Sequence, residues 1–141
     1  MLKIAFSLLG LAALVIGGMI FAIGPEATGQ IFAAGLRVAV PLTPPVTGLD
    51  GADIDSEMRF YAAIWMAYGA TALWVSRGLP KRVQALRLML GVFWLGGLGR
   101  ALSLVTHGAP HPLFSVLMWI ELVLPPVLIL LSLRHGKTAR E

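Results

Sequence analysis

Two side chains of opposite charge, Arg100 and Glu121, interrupt stretches that otherwise hold almost only apolar residues. Glu121 lies nine residues after Pro112, which at the helical rise puts it roughly 13 Å into its segment. Arg100 precedes Thr106 by six residues, a depth of roughly 9 Å from the same side. An arginine side chain spans the difference. A bare ion at the centre of a membrane helix costs roughly 2.5 to 3.5 kcal/mol on insertion scales. A salt bridge or charge-assisted hydrogen bond between Arg100 and Glu121 is therefore expected. Glu57 and Arg59 sit at the mouth of another apolar segment on the same side and are expected to close the network from above.

Helical spacing adds hydroxyl groups to these ions. Glu57, Tyr61, Ile64, Tyr68 and Thr71 share one helical face, and Gly96, Arg100, Ser103 and His107 share another. Both stripes are expected to point inward. Gly96, Gly97 and Gly99 allow a second backbone to approach where Arg100 projects, and Ala62, Ala63, Ala67 and Ala70 do the same on the other helix. The candidate ligand or polar-network set is thus Glu57, Arg59, Tyr61, Tyr68, Arg100, Ser103 and Glu121.

Three roles suit such a set. It fixes helix register as a purely structural network in an accessory subunit, lines a pocket for a lipid-like or quinone-like amphiphile, or serves a proton-linked small-molecule carrier using Glu121. No GxSxG, no HExxH and no phosphate-cradling glycine loop before a lysine appears, so no catalytic residue is assigned. His107 and His111 flank Gly108-Ala109-Pro110, which breaks helical spacing, and they lack carboxylate or thiolate companions; no metal site is assigned. With no Cys, a disulfide, a thiolate nucleophile, an iron–sulfur cluster and covalently attached haem are excluded, and no cofactor is expected. Trp65, Trp74, Trp94 and Trp119 read as core or interface anchors.

The elements that must hold these residues follow from composition. The 141 residues are 57% hydrophobic and only 13% charged, with a mean hydropathy of +0.83, against roughly 25% charged in a soluble domain. A water-soluble globule is excluded. One domain of four spans fits, since each span takes roughly 20 residues. Spans are expected over about 4–23, 57–76, 82–106 and 112–133, with a loop over 24–56 and a tail over 134–141. The first segment exceeds the usual signal-peptide core, and its best cleavage site, Ala22-Ile23-Gly24, runs straight into Pro25. It is read as an anchor that stays.

Pro25, Pro41, Pro44 and Pro45 punctuate the loop, and its middle, Gln30 to Val40, suits a short interfacial helix. Asp55 or Ser56 is the expected N-cap of the second span. The third is expected to end before Gly108-Ala109-Pro110, and Pro125-Pro126 to kink the fourth. No internal repeat, heptad array, low-complexity tract or soluble domain is found.

Lys3, Arg77, Lys81, Arg82, Arg87, Arg134, Lys137 and Arg140 fall on one side of these spans, with Arg37, Arg59 and Arg100 toward the other. Both termini are therefore expected in the cytoplasm. The net charge of +4 reflects this topology, and no nucleic-acid partner is expected; the basic tail reads as a stop-transfer flank that also touches anionic lipid.

Two stretches resemble a known family: Ser56 to Trp65 (SEMRFYAAIW), and Gly96 to Ser103 (GGLGRALS) continuing through His111-Pro112-Leu113-Phe114 to Glu121-Leu122-Val123-Leu124-Pro125-Pro126. The resemblance is to a bacterial family of small four-span membrane proteins catalogued as a domain of unknown function, domain-of-unknown-function family 4345. Its E-x-R-F-Y-A stretch falls on Glu57, Arg59, Phe60, Tyr61 and Ala62, its G-x-x-R-x-x-S run on Gly97, Arg100 and Ser103, and its E-L-V-L-P-P run on Glu121 to Pro126. Departures are Ser56 for an expected asparagine, Ala63 for a glycine, and a longer first loop. The resemblance implies a bacterial cytoplasmic membrane and supplies no activity.

The sequence reading is thus an all-α integral membrane protein: an antiparallel four-helix transmembrane bundle under a proline-rich outer loop. Its partners are the lipid bilayer, a lipid-like ligand, and a homo-oligomer or partner membrane protein. Its role is that of a non-enzymatic membrane module.

Overall fold

The computed structural model describes residues 1–40 and 43–137. Five helices follow one another: α1 (Leu2–Ile23), α2 (Pro25–Leu36), α3 (Ala52–Arg77), α4 (Val83–His107) and α5 (Pro112–Lys137). No strand occurs among the described residues. Pro41 of the loop, and the tail beyond Lys137 with Arg140 in it, lie outside the described residues; α5 itself takes in the start of the expected tail.

Helices α1 and α4, and α5 through Leu133, are long and apolar enough to cross a membrane. Helix α3 is as long, at 26 residues, but carries Asp53, Asp55, Glu57 and Arg59 near its start and Arg77 at its end, and falls short of that apolarity. It also begins five residues earlier than expected. Gly51, not Asp55 or Ser56, stands at its N-cap, and Asp53 and Asp55 occupy the first turn, where carboxylates offset the positive end of the helix dipole. The short helix of the loop sits at Pro25–Leu36 rather than 30–40, because Pro25 fits a first helical turn directly after Gly24. Gly24 has φ +87, a backbone conformation that disfavours side chains, and this lets the chain turn from α1 into α2.

The helices associate in pairs. Helix α1 lies antiparallel to α3 along a seam of small residues, with Gly10 against Gly69, Gly17 against Ala62 and Ser7 against Ser76. A Cβ on Gly10 would lie 2.9 Å from the Gly69 carbonyl oxygen, and one on Gly17 would lie 3.0 Å from that of Ala62. Ser7 Oγ donates to Ser76 Oγ across the seam at 2.8 Å, and Ser76 Oγ donates to the Leu73 carbonyl at 2.9 Å. A heptad of apolar residues is absent here; small residues take its place and close the backbones together.

Helices α4 and α5 form the second antiparallel pair. It joins the first through a buried cluster of Leu2, Phe6, Ala72, Val75, Leu86, Met89, Leu90 and Leu128 at the end carrying the N-terminus. Trp65 stacks on Tyr68 and leans on Phe93, with ring centroids 5.2 and 5.8 Å apart, and Tyr68 donates to the Met89 carbonyl at 2.9 Å. At the opposite end Ala33, Val46 and Leu113 fasten α2 and the following loop to the start of α5. Polar contacts hold this loop down. Glu26 accepts from the Leu49 amide at 3.0 Å, Arg37 Nε donates to the Thr43 carbonyl at 3.0 Å, and His111 Nε2 meets the Pro44 carbonyl at 2.8 Å.

Candidate functional site

Arg100 and Glu121 meet where α4 crosses α5. Arg100 Nε donates to Glu121 Oε2 at 2.8 Å, with the glutamate side chain 9% exposed and the arginine 39%. Gly97 makes room for this approach. A Cβ there would lie 3.0 Å from Glu121 Cβ and 3.1 Å from its backbone carbon, while Gly96 lies alongside Oε2. One turn further along α5, Pro125 and Pro126 have no amide hydrogen, so the carbonyls of Glu121 and Leu122 receive no bond from the residue four ahead. The result is a carboxylate buried in a polar notch and an arginine that covers it.

The bond engages one of five guanidinium donors. No other acceptor among the described residues reaches Arg100, so both terminal nitrogens are unclaimed there, on a side chain 39% exposed. A planar fork held this way suits a carbonyl, carboxylate or phosphate oxygen.

Glu57 and Arg59 do not join this pair, contrary to the sequence expectation. Arg59 turns to the first helix pair. It holds Asp55 through Nε at 2.7 Å and Nη2 at 3.1 Å, and donates from Nη1 to the Phe21 carbonyl at 2.6 Å. A cation four residues from a carboxylate on one helix finds it without leaving that helix, and the open end of α1 supplies a further acceptor. The hydrogen bond from Arg59 holds the Asp55 carboxyl below the usual carboxylate range, against desolvation and with the aid of the arginine charge. Glu57 is exposed.

The two hydroxyl stripes divide in a similar way. Tyr68 is half-buried and faces α4, but Tyr61 is 55% exposed against the edge of Phe60, and Ile64, Thr71, Ser103 and His107 are exposed too. The buried face of α3 is instead Ala62, Gly69, Ala72, Val75 and Ser76, because contact with α1 over the whole helix outweighs contact with α4. Of the seven candidate residues, the structure brings Arg100 and Glu121 together. Sequence reasoning passed over Asp55 as the partner of Arg59, although their spacing of four carried that signal, and also over a second tie between α4 and α5 at Arg87 and Ser132.

Residues 1–132 match the model of the family described as Domain of unknown function (DUF4345). The chain belongs to this family. The DUF4345 match takes in both helix pairs, the Arg59 corner and the Arg100–Glu121 pair. No curated protein and no solved structure matches the chain. Since DUF4345 carries no activity in its description, function rests on the geometry.

Proposed function

We propose that the protein is a non-enzymatic module of the bacterial cytoplasmic membrane in which α1, α3, α4 and α5 all span the bilayer, with both termini cytoplasmic. Helix α3 supports a fourth span because it lies against α1 from the Arg59–Phe21 contact to the Ser76–Ser7 contact, so it shares the depth of its apolar neighbour. Lys3, Arg77, Lys81, Arg82 and Arg87 at one end of the helices support the orientation. The natural absence of Cys makes the test direct. A membrane-impermeant maleimide applied to intact spheroplasts is expected to label Thr47→Cys and to spare Lys81→Cys until the membrane is opened. Labelling of both from outside removes α3 as a span.

Within this frame, Arg100 presents its guanidinium to the polar group of a lipid-like or other small amphipathic ligand, and Glu121 fixes its orientation. One observation carries the reading: an arginine bound at Nε to a buried carboxylate, with both terminal nitrogens unclaimed among the described residues. Native mass spectrometry of gently extracted protein is expected to show a bound small molecule that Arg100→Gln loses at unchanged helicity. A wild-type protein without an adduct, or an adduct that survives Arg100→Gln, overturns it. A second reading, a structural network alone, draws support from the Arg87–Ser132 tie on the same helix pair.

A further inference from the structure

Toward the end of the α4/α5 pair opposite Arg100 lies an arginine in different company. Arg87 donates from Nε to Ser132 Oγ at 2.9 Å and from Nη2 to the Ser132 carbonyl at 3.3 Å, and Ser132, 1% exposed, donates onward to the Ile129 carbonyl at 2.7 Å. All of these acceptors are neutral. Arg59 and Arg100 each have a carboxylate, whereas none among the described residues reaches Arg87. Its guanidinium is held by neutral groups, with no carboxylate among the described residues to neutralise it. Lys3, Arg77, Lys81 and Arg82 add charge of the same sign at that end of the helices.

Next to Arg87, α4 and α5 leave an apolar groove of about 330 Å3 lined by Gly91, Trp94, Pro125, Pro126, Ile129 and Leu130. Gly91 follows Arg87 by four residues and Ile129 precedes Ser132 by three, so the groove opens one helical turn from the guanidinium. Gly91 leaves its wall open: nothing lies within 4 Å of the position its Cβ would take. Its volume falls in the range of roughly 300 to 1,000 Å3 that small-molecule sites occupy.

A fixed positive charge at the end of the helices, one turn from an apolar slot running toward their middle, matches the layout of a phospholipid. We infer that this groove binds an anionic glycerophospholipid, with its phosphate on Arg87 and an acyl chain along Gly91, Pro126 and Leu130. A free anion would meet the charge and leave the slot empty; a neutral apolar molecule would fill the slot and leave the charge. The inference rests on residues that the Arg100 reading does not use.

The test uses the full chain in mild detergent, mixed separately with dioleoylphosphatidylglycerol and dioleoylphosphatidylcholine and weighed by native mass spectrometry. The wild type is expected to retain phosphatidylglycerol about fivefold over phosphatidylcholine, the factor one basic residue near a membrane surface contributes. Arg87→Gln should bring that ratio to about one, and Arg87→Lys should keep it. Gly91→Leu fills the slot with a better helix former and should lower retention of both lipids, with helicity checked by circular dichroism; it decides the matter even where Arg87→Gln fails to fold. Gly99→Ala, a change on the same helix that touches neither Arg87 nor the groove, should leave the ratio unchanged. Equal retention of the two lipids by the wild type, a preference that survives Arg87→Gln, or wild-type retention by Gly91→Leu overturns the inference.

Discussion

Gly69→Ala is expected to unseat α3 from α1. The added Cβ would lie 2.6 Å from the Gly10 carbonyl oxygen, 2.8 Å from the Leu14 amide nitrogen and 2.9 Å from Leu14 Cγ. Two of these three atoms belong to backbone, which cannot swing aside as a side chain does. The helices must separate, and the Ser7–Ser76 bond and the contacts of Phe6, buried in the same cluster as Ala72, are lost with them. Overpacking costs typically about 1 to 3 kcal/mol, and the upper end is expected here because relief requires moving a whole helix. Gly99→Ala provides the control, since nothing lies within 4 Å of that position. Unfolding titrations in dodecyl sulfate, followed by circular dichroism, should show an early midpoint for Gly69→Ala and one at or slightly beyond wild type for Gly99→Ala, where the added methyl group only improves helix propensity. Equal midpoints for all three proteins would refute the tight seam.

Arg100→Leu is expected to be nearly as damaging, for an electrostatic reason. It strands Glu121, whose side chain is 9% exposed, while Glu121→Leu strands an arginine 39% exposed that can still turn toward water or headgroups. Removing one member of a buried pair costs about 3 to 5 kcal/mol; the lower figure suits Arg100→Leu, given the half-exposed partner, and a smaller loss suits Glu121→Leu. The double variant Arg100→Leu/Glu121→Leu should recover stability close to wild type, because no ion is left without a partner. It should also lack the bound small molecule. The same titration gives the stability, and native mass spectrometry gives the adduct. A double variant as unstable as Arg100→Leu would show that the two residues do not act as a pair.

Much of this was readable in the residues alone, for identifiable reasons. The long, largely apolar runs of α1, α4 and α5 leave helix as the solution that satisfies every backbone group in hydrocarbon. Gly24, Gly78 and Gly108 mark where long helices stop. Arg100 and Glu121 were legible as partners because depth along a helix is fixed by residue count. The face each helix presents was harder to read. On α3, Tyr61 and Tyr68 lie on one stripe by periodicity, yet Tyr68 packs against α4 and Tyr61 stays exposed. The deciding factor was the close approach of α1, carried by Gly10, Gly17 and Gly69, residues too small to register in a search for apolar stripes. Arg59 went astray for a local reason: Asp55 was one turn away, nearer than any ion on another helix.

The seam between α1 and α3 lies wholly within the first 77 residues. Its closest approaches, at Ser7, Gly10 and Gly17, are all made to residues of α3. During synthesis, that half of the molecule can therefore zip shut while α4 is still inside the ribosome, as domains commonly assemble from the amino-terminal side. Helices α4 and α5 would then dock onto a finished surface, the His111–Pro44 clasp becoming available before the Arg87–Ser132 tie, which waits for the end of α5.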